Sequence, residues 1–165
     1  MKSLYLVRHA KSSWDDPGLS DLERPLNKRG KTDSPAMGKL LYKQNDIPEL
    51  MISSNAKRAF STAKRIAKEL DYPVKKIIVN DKLYMADIDD FINVIHSRNE
   101  EIDKLMLFGH NYGITYFANY ISDADIDNIP TCGIVRIDFD FNSWKEIENK
   151  KGKLIFFEYP KKHKI

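Results

Sequence analysis

Short apolar runs alternate with helical stretches along this chain, and that alternation restricts the fold more than any other feature. KSLYLV at 2–7, LMIS at 50–53, KIIV at 76–79 and KLMLFG at 104–109 have strand length and are mostly apolar. Between the second and third runs, Ala56, Ala59, Phe60, Ala63, Ile66, Ala67 and Leu70 recur at helical spacing and make one apolar stripe. A helix is expected there over about 55–70, capped by Ser53 or Ser54. Asn27 is a plausible cap for another helix reaching about residue 44, with Gly30 and Pro35 as weak points and a possible kink at Pro35. Helices are also expected over 88–97 and 113–121. Two further strands are expected at 133–141 and 153–159, joined by a turn around Asn142–Ser143 or a longer loop to Gly152. The turn residues Asp15, Asp16, Pro17, Gly18, Ser20, Asp21 and Pro25 make 10–26 a loop. The pattern predicts an α/β three-layer sandwich, with a largely parallel central sheet and helices on both faces.

Length and composition exclude several classes. The 165 residues, 1–165, are expected to form a single domain, long enough to bury a core without covalent staples. The lone Cys132 forms no internal disulfide, reads as a small packing residue, and belongs to no Cys/His cluster, so no metal and no cofactor are expected. No apolar run approaches the roughly 18–20 residues of a membrane span. The first residues, MKSLYLVRHAKSS, hold four apolar positions and then charge, too few for a signal-peptide core, so the cytoplasm is the expected location. The net charge of +3 comes partly from the tail KKHKI and from Lys150, Lys151 and Lys153. Such a tail is ordinarily solvated, so neither nucleic acid nor membrane is expected as a partner. Nothing in the residues specifies an oligomeric state.

In an open parallel sheet, ligands bind beyond the carboxyl ends of the strands. Arg8 and His9 follow the first strand, Arg58 lies in the first turn of the helix after the second, and His110 follows the 104–109 strand. Two arginines and two histidines would thus meet at one rim, beside the positive end of a helix dipole, as an anion site containing a nucleophile. A lone histidine is more often structural; the company of the other three favours chemistry. Arg58 alone would be a solvated helix arginine, yet a cation in the first helical turn is unfavourable without a functional reason. His96 is read as packing or surface and His163 as solvated. Arg98 and the Lys64, Arg65 and Lys68 group are ordinary charged faces. Trp14 is either pocket mouth or packing, and Tyr112 either rim or packing.

LVRHAKS, SSNAKRAFSTA and FGHN together resemble the histidine phosphatase superfamily, also called phosphoglycerate-mutase-like. RHAKSSW with RPLNKRG, and the absence of long insertions, look most like its SixA-type phosphohistidine phosphatases. The resemblance runs from residue 3 to about 137. It implies a phosphoglycerate-mutase-like fold, His9 as nucleophile, and Arg8, Arg58 and His110 holding the phosphoryl group. Arg24, in ERPL, resembles an arginine some relatives direct at the pocket, and Asn111 is a further substrate-binding candidate. Two departures stand out. Ala10 replaces the usual glycine, and Asp15 stands where many relatives carry a phosphate-contacting asparagine. KLYMADID also lacks the glutamate that many relatives use as general acid, leaving Asp21 or Asp87 as possible proton donors.

The resemblance implies metal-independent transfer of phosphate to His9, then hydrolysis, with phosphohistidine on a protein as the expected substrate. A chain with little room for a lid suits a side chain on another protein. A small-molecule phosphomonoesterase is the rival enzyme. A phosphorelay carrier or silent phosphate-binding protein is the non-enzyme alternative, disfavoured by the strands and by the intact His9.

Overall fold

The computed structural model describes all residues except Lys150, which places that one tail-side charge outside the described residues. The strands are β1 (Lys2–Arg8), β2 (Leu50–Ser53), β3 (Ile78–Val79), β4 (Lys104–Gly109), β5 (Ile134–Phe139) and β6 (Lys153–Glu158). The helices are α1 (Lys28–Lys43), α2 (Lys57–Glu69), α3 (Ile88–His96) and α4 (Gly113–Ile121). One six-stranded sheet has the order β3-β2-β4-β1-β5-β6. Its first four strands pair in parallel, and β5 and β6 add antiparallel at one edge. This is the α/β sandwich expected from the alternation.

The central strand β1 is apolar throughout its middle because both its faces are covered. Tyr5 and Val7 join Met51, Met106 and Phe108 beneath α1 and α2, which contribute Met37, Leu41, Ala63, Ile66 and Ala67. Leu4 and Leu6 point the other way, with Ile52, Leu105 and Leu107, into the layer of α3 and α4 around the stacked pair Phe91 and Phe117. Among the described residues no helix is long and apolar enough to cross a membrane.

The loop after β1 is pinned back on itself. The Ser13 amide donates to Pro25 O and the Asn27 amide to Lys11 O. Asn27 caps α1 through its side chain, as expected, accepting from the Gly30 amide at 2.9 Å. Gly30 has a packing reason: a Cβ there would lie 2.2 Å from the Lys11 carbonyl oxygen. The helix continues through Pro35 to Lys43. The expected cap of α2 is corrected, since the N-cap is Ala56 and has no side-chain cap bond. Ser54 accepts from the Ala56 amide one residue earlier and faces His110 instead.

Candidate active site

Register brings the site together. In the β1–β4 ladder Arg8 pairs with Gly109, and the His9 amide donates to Gly109 O at 3.1 Å. The residues that follow the two strands, His9 and His110, therefore stand side by side with ring centroids 5.2 Å apart. The neighbouring β2 delivers α2, whose first turn puts Arg58 Nη2 3.4 Å from His110 Nδ1. His9, Arg58 and His110 are 8, 6 and 7% exposed, a nearly closed floor. Arg8 lies beside them, with Nη1 donating to Ile129 O at 2.9 Å.

Hydrogen bonds set both imidazole tautomers. His9 Nδ1 is 2.8 Å from Ala10 O; a carbonyl only accepts, so Nδ1 carries the proton and the Nε2 lone pair is free. Arg58 only donates, so His110 Nδ1 accepts from it and Nε2–H donates to Ser54 Oγ at 2.8 Å. Burial first, and then the neighbouring His110, Arg58 and Arg8, push His9 down to about 3. Burial first, then Arg58, lower His110 to about 4. His9 is thus neutral at physiological pH, the state a nucleophilic nitrogen needs. Thr62, wholly buried, accepts from the Ala10 amide at 2.9 Å and donates to Arg58 O at 2.8 Å, tying the His9 loop to α2.

The Nε atoms of Arg8 and Arg58 are buried and have no partner. A buried guanidinium N–H left unpaired is costly, and an anion among these groups would relieve it. The arrangement can hold an anion against the arginines and deliver a neutral nitrogen lone pair to it. Among the described residues no group of three His, Cys, Asp or Glu is arranged to hold a metal ion.

The remaining sequence candidates fall in different places. Asp21 joins the cluster. Its carbonyl and Oδ2 accept from Arg58 at 2.6 and 3.0 Å, and Oδ1 accepts from Arg24 at 3.1 Å. The Tyr84 hydroxyl donates to Oδ2 at 2.5 Å, and the Tyr84 ring stands edge-on to His110 with centroids 5.4 Å apart. Arg24 reaches the site through Asp21, is 8% exposed, and packs under Trp14, whose ring centroid is 3.2 Å from its guanidinium carbon. Trp14 is 75% exposed, so of its two readings the mouth fits.

Asp87 instead caps α3, accepting from the Asp90 amide at 2.9 Å, which occupies its carboxylate in helix initiation. The Asn111 side chain donates to Asn128 and accepts from Thr115, so its amide is already engaged within the 111–128 region. Asp15 is exposed and lines a shallow cleft with Lys28 and Arg29. Tyr112 is exposed and stacks with Tyr116. His96 is half-buried at the end of α3, and His163, expected to be solvated, instead contacts Glu158. The burial of Cys132 is complete and pushes its thiol up to about 12; its amide donates to Arg8 O and His9 O, bracing the strand end from behind.

Tyr84 and Thr62 are the residues that the sequence reasoning left unassigned. Thr62 lies inside SSNAKRAFSTA, and Tyr84 lies in KLYMADID, the segment read for a carboxylate.

Residues 4–83 match the histidine phosphatase superfamily (branch 1). An uncharacterized chloroplastic protein of Arabidopsis thaliana is 31% identical over 153 residues, covering 88% of this chain and 70% of that one. A crystal structure assigned as the phosphohistidine phosphatase SixA of Agrobacterium tumefaciens superposes with a TM-score of 0.82 at 25% identity, over 96% of this chain and 98% of that one. The protein histidine phosphatase SixA bound to tungstate gives 0.83 at 20% identity over 98% and 99%. A mycobacterial glucosyl-3-phosphoglycerate phosphatase gives 0.70 at 12% identity over 96% and 100%. The last two likenesses are of fold.

Proposed function

Because this chain belongs to the histidine phosphatase superfamily, branch 1, we propose that it is a phosphatase in which His9 takes the phosphoryl group covalently, from phosphohistidine on another protein. One observation carries the reading: a neutral His9 with a free Nε2 lone pair beside two buried arginine Nε–H groups that lack partners.

Neutral His9 attacks phosphorus through Nε2, and the P–N bond of the substrate breaks. The Ala10 carbonyl holds Nδ1–H throughout, so the positive charge that develops on the phosphorylated ring lies against a fixed acceptor. Arg8 and Arg58 line the equatorial oxygens and offset charge that grows in the transition state, while neutral His110, accepting from Arg58 at Nδ1, holds that guanidinium in place. Water then hydrolyses the phosphohistidine and returns neutral His9.

A protein substrate is supported by the surroundings of the floor. Trp14, Leu22, Met85 and Tyr112 are exposed apolar or aromatic side chains on the segments that carry Arg24, Asp21, Tyr84 and His110. A sugar phosphate would call for hydrogen-bonding groups there, whereas apolar side chains around a cleft suit a protein face. The phosphohistidine substrate named for the Agrobacterium tumefaciens relative points the same way. The test compares kcat/KM for a phosphohistidine protein or peptide with a panel of sugar and serine phosphates. Preference for the phosphohistidine substrate is expected; a sugar phosphate as best substrate overturns the reading.

A further inference from the structure

Among the described residues, Asp21 supplies the acidic side chain bonded to the cationic cluster. Oδ2 receives Arg58 Nη2 and the Tyr84 hydroxyl, and Oδ1 receives Arg24 Nη1. The three donors leave one side of Oδ1 open, because a carboxylate accepts about four hydrogen bonds. The floor residues are all under 10% exposed, whereas the Asp21 side chain is 45% exposed. A phosphoryl group held on the floor therefore directs its leaving group outward, toward the rim where Asp21 and Tyr84 stand. Hydrogen bonds from Tyr84, then from Arg58 and Arg24, hold the Asp21 carboxyl down at about 2, so at neutral pH it has no proton to donate.

We propose that Asp21 is a specificity residue that selects phosphorus–nitrogen substrates over phosphate esters by accepting a hydrogen bond from the ring N–H of the departing imidazole. It rests on the phosphoryl transfer to His9 proposed above. In that step the His9 Nε2 lone pair forms a new N–P bond. The substrate N–P bond breaks, and its electron pair returns to the substrate ring nitrogen. When the other ring nitrogen already carries a proton, the group departs as neutral imidazole and no acid is needed. A carboxylate facing that N–H favours the protonated, reactive form of the substrate. An alkyl ester has the opposite need: its alkoxide must gain a proton, and an ionised Asp21 cannot supply one. The residue considered in the sequence as a proton donor thus acts as an acceptor.

The test measures kcat/KM from mildly acid to alkaline pH for a phosphohistidine peptide and for p-nitrophenyl phosphate, in wild type, Asp21→Asn and Asp21→Glu. Arg58 loses a partner in Asp21→Asn, which slows both substrates alike, so the readout is the ratio between them. The phosphohistidine preference should fall by roughly tenfold to a hundredfold in Asp21→Asn, the usual worth of a hydrogen bond to a charged group. The alkaline limb of the phosphohistidine profile should move to lower pH, while the aryl phosphate profile keeps its shape. Asp21→Glu, which keeps a carboxylate, should retain more of the preference than Asp21→Asn. An unchanged ratio in Asp21→Asn means that Asp21 serves only to hold Arg58, and it overturns the proposal. So does an equal loss of preference in both variants, or a loss confined to esters. Failure of the underlying function looks different: the wild-type enzyme itself would cleave esters and leave phosphohistidine untouched, and both proposals would fall.

Discussion

Replacing Thr62 by valine removes one hydroxyl from the middle of the site's scaffold and nearly preserves shape. Thr62 Oγ1 accepts from the Ala10 amide at 2.9 Å and donates to Arg58 O at 2.8 Å, in a fully buried position. The Arg58 carbonyl remains inside α2, so the loss falls mainly on Ala10. A buried N–H left without a partner costs about 1–3 kcal/mol. For a chain of this size that corresponds to a fall in Tm of roughly 2 to 10 °C. Ala10 also provides the carbonyl that fixes His9 Nδ1–H, so a displaced Ala10 peptide releases the tautomer the nucleophile needs. We expect kcat to fall by roughly ten- to a hundredfold through misplacement of His9. Binding of vanadate, which uses the arginines, should change little by comparison. Thr62→Ser keeps the hydroxyl and should recover most of both losses. Urea unfolding and steady-state kinetics on one aryl phosphate read the two effects. Stability and kcat of Thr62→Val both indistinguishable from wild type would refute the coupling of Thr62 to His9.

Three further outcomes are expected. Arg58→Ala should lower kcat by roughly two to four powers of ten with the fold retained, as loss of a preorganised donor does, and His110→Ala, which removes the acceptor that holds the Arg58 guanidinium, should behave similarly, whereas His96→Ala should stay near wild type; steady-state kinetics with circular dichroism checks this. Stability should fall as pH drops from about 6.5 toward 4, because His9 and His110 stay neutral in the fold, at about 3 and about 4, while the unfolded chain takes up their protons; urea titrations should show a slope of up to about 1.4 kcal/mol per pH unit for each histidine, roughly halved in His9→Asn. Gly30→Ala should destabilise by about 1–3 kcal/mol, since its Cβ would press on the Lys11 carbonyl oxygen at 2.2 Å and force the loop after β1 away from the first turn of α1; urea unfolding midpoints measure it.

Residues at strand ends were the most legible part of the site. Their position follows from hydrophobic patterning, because a strand buried on both faces stops abruptly where polar side chains begin, as at Arg8 and His110. The stripe of α2 likewise placed Arg58 in a first turn before any packing was known. Local chemistry also gave the Asn27 cap, since that bond spans three residues. Contacts that depend on where two distant loops meet were not legible. Tyr84 bonds Asp21 across 63 positions, and nothing in KLYMADID marks its hydroxyl rather than a carboxylate as the group at the rim. The partners of Asn111 were not legible for the same reason: its amide turns toward Thr115 in α4 and Asn128 beyond it. Ser53 or Ser54 was read as a cap for α2, and the Ser54 hydroxyl does bond the Ala56 amide; its second partner, His110 just past β4, has no sequence signal.

The most direct measurement is a rapid quench of the wild-type enzyme during turnover, held at alkaline pH, followed by intact-mass and peptide analysis. One acid-labile phosphoryl group is expected, on the peptide carrying His9, and it should be absent from a folded and inactive His9→Ala variant. Phosphate on His110 instead, or a folded His9→Ala enzyme that still turns over, would contradict covalent transfer through His9.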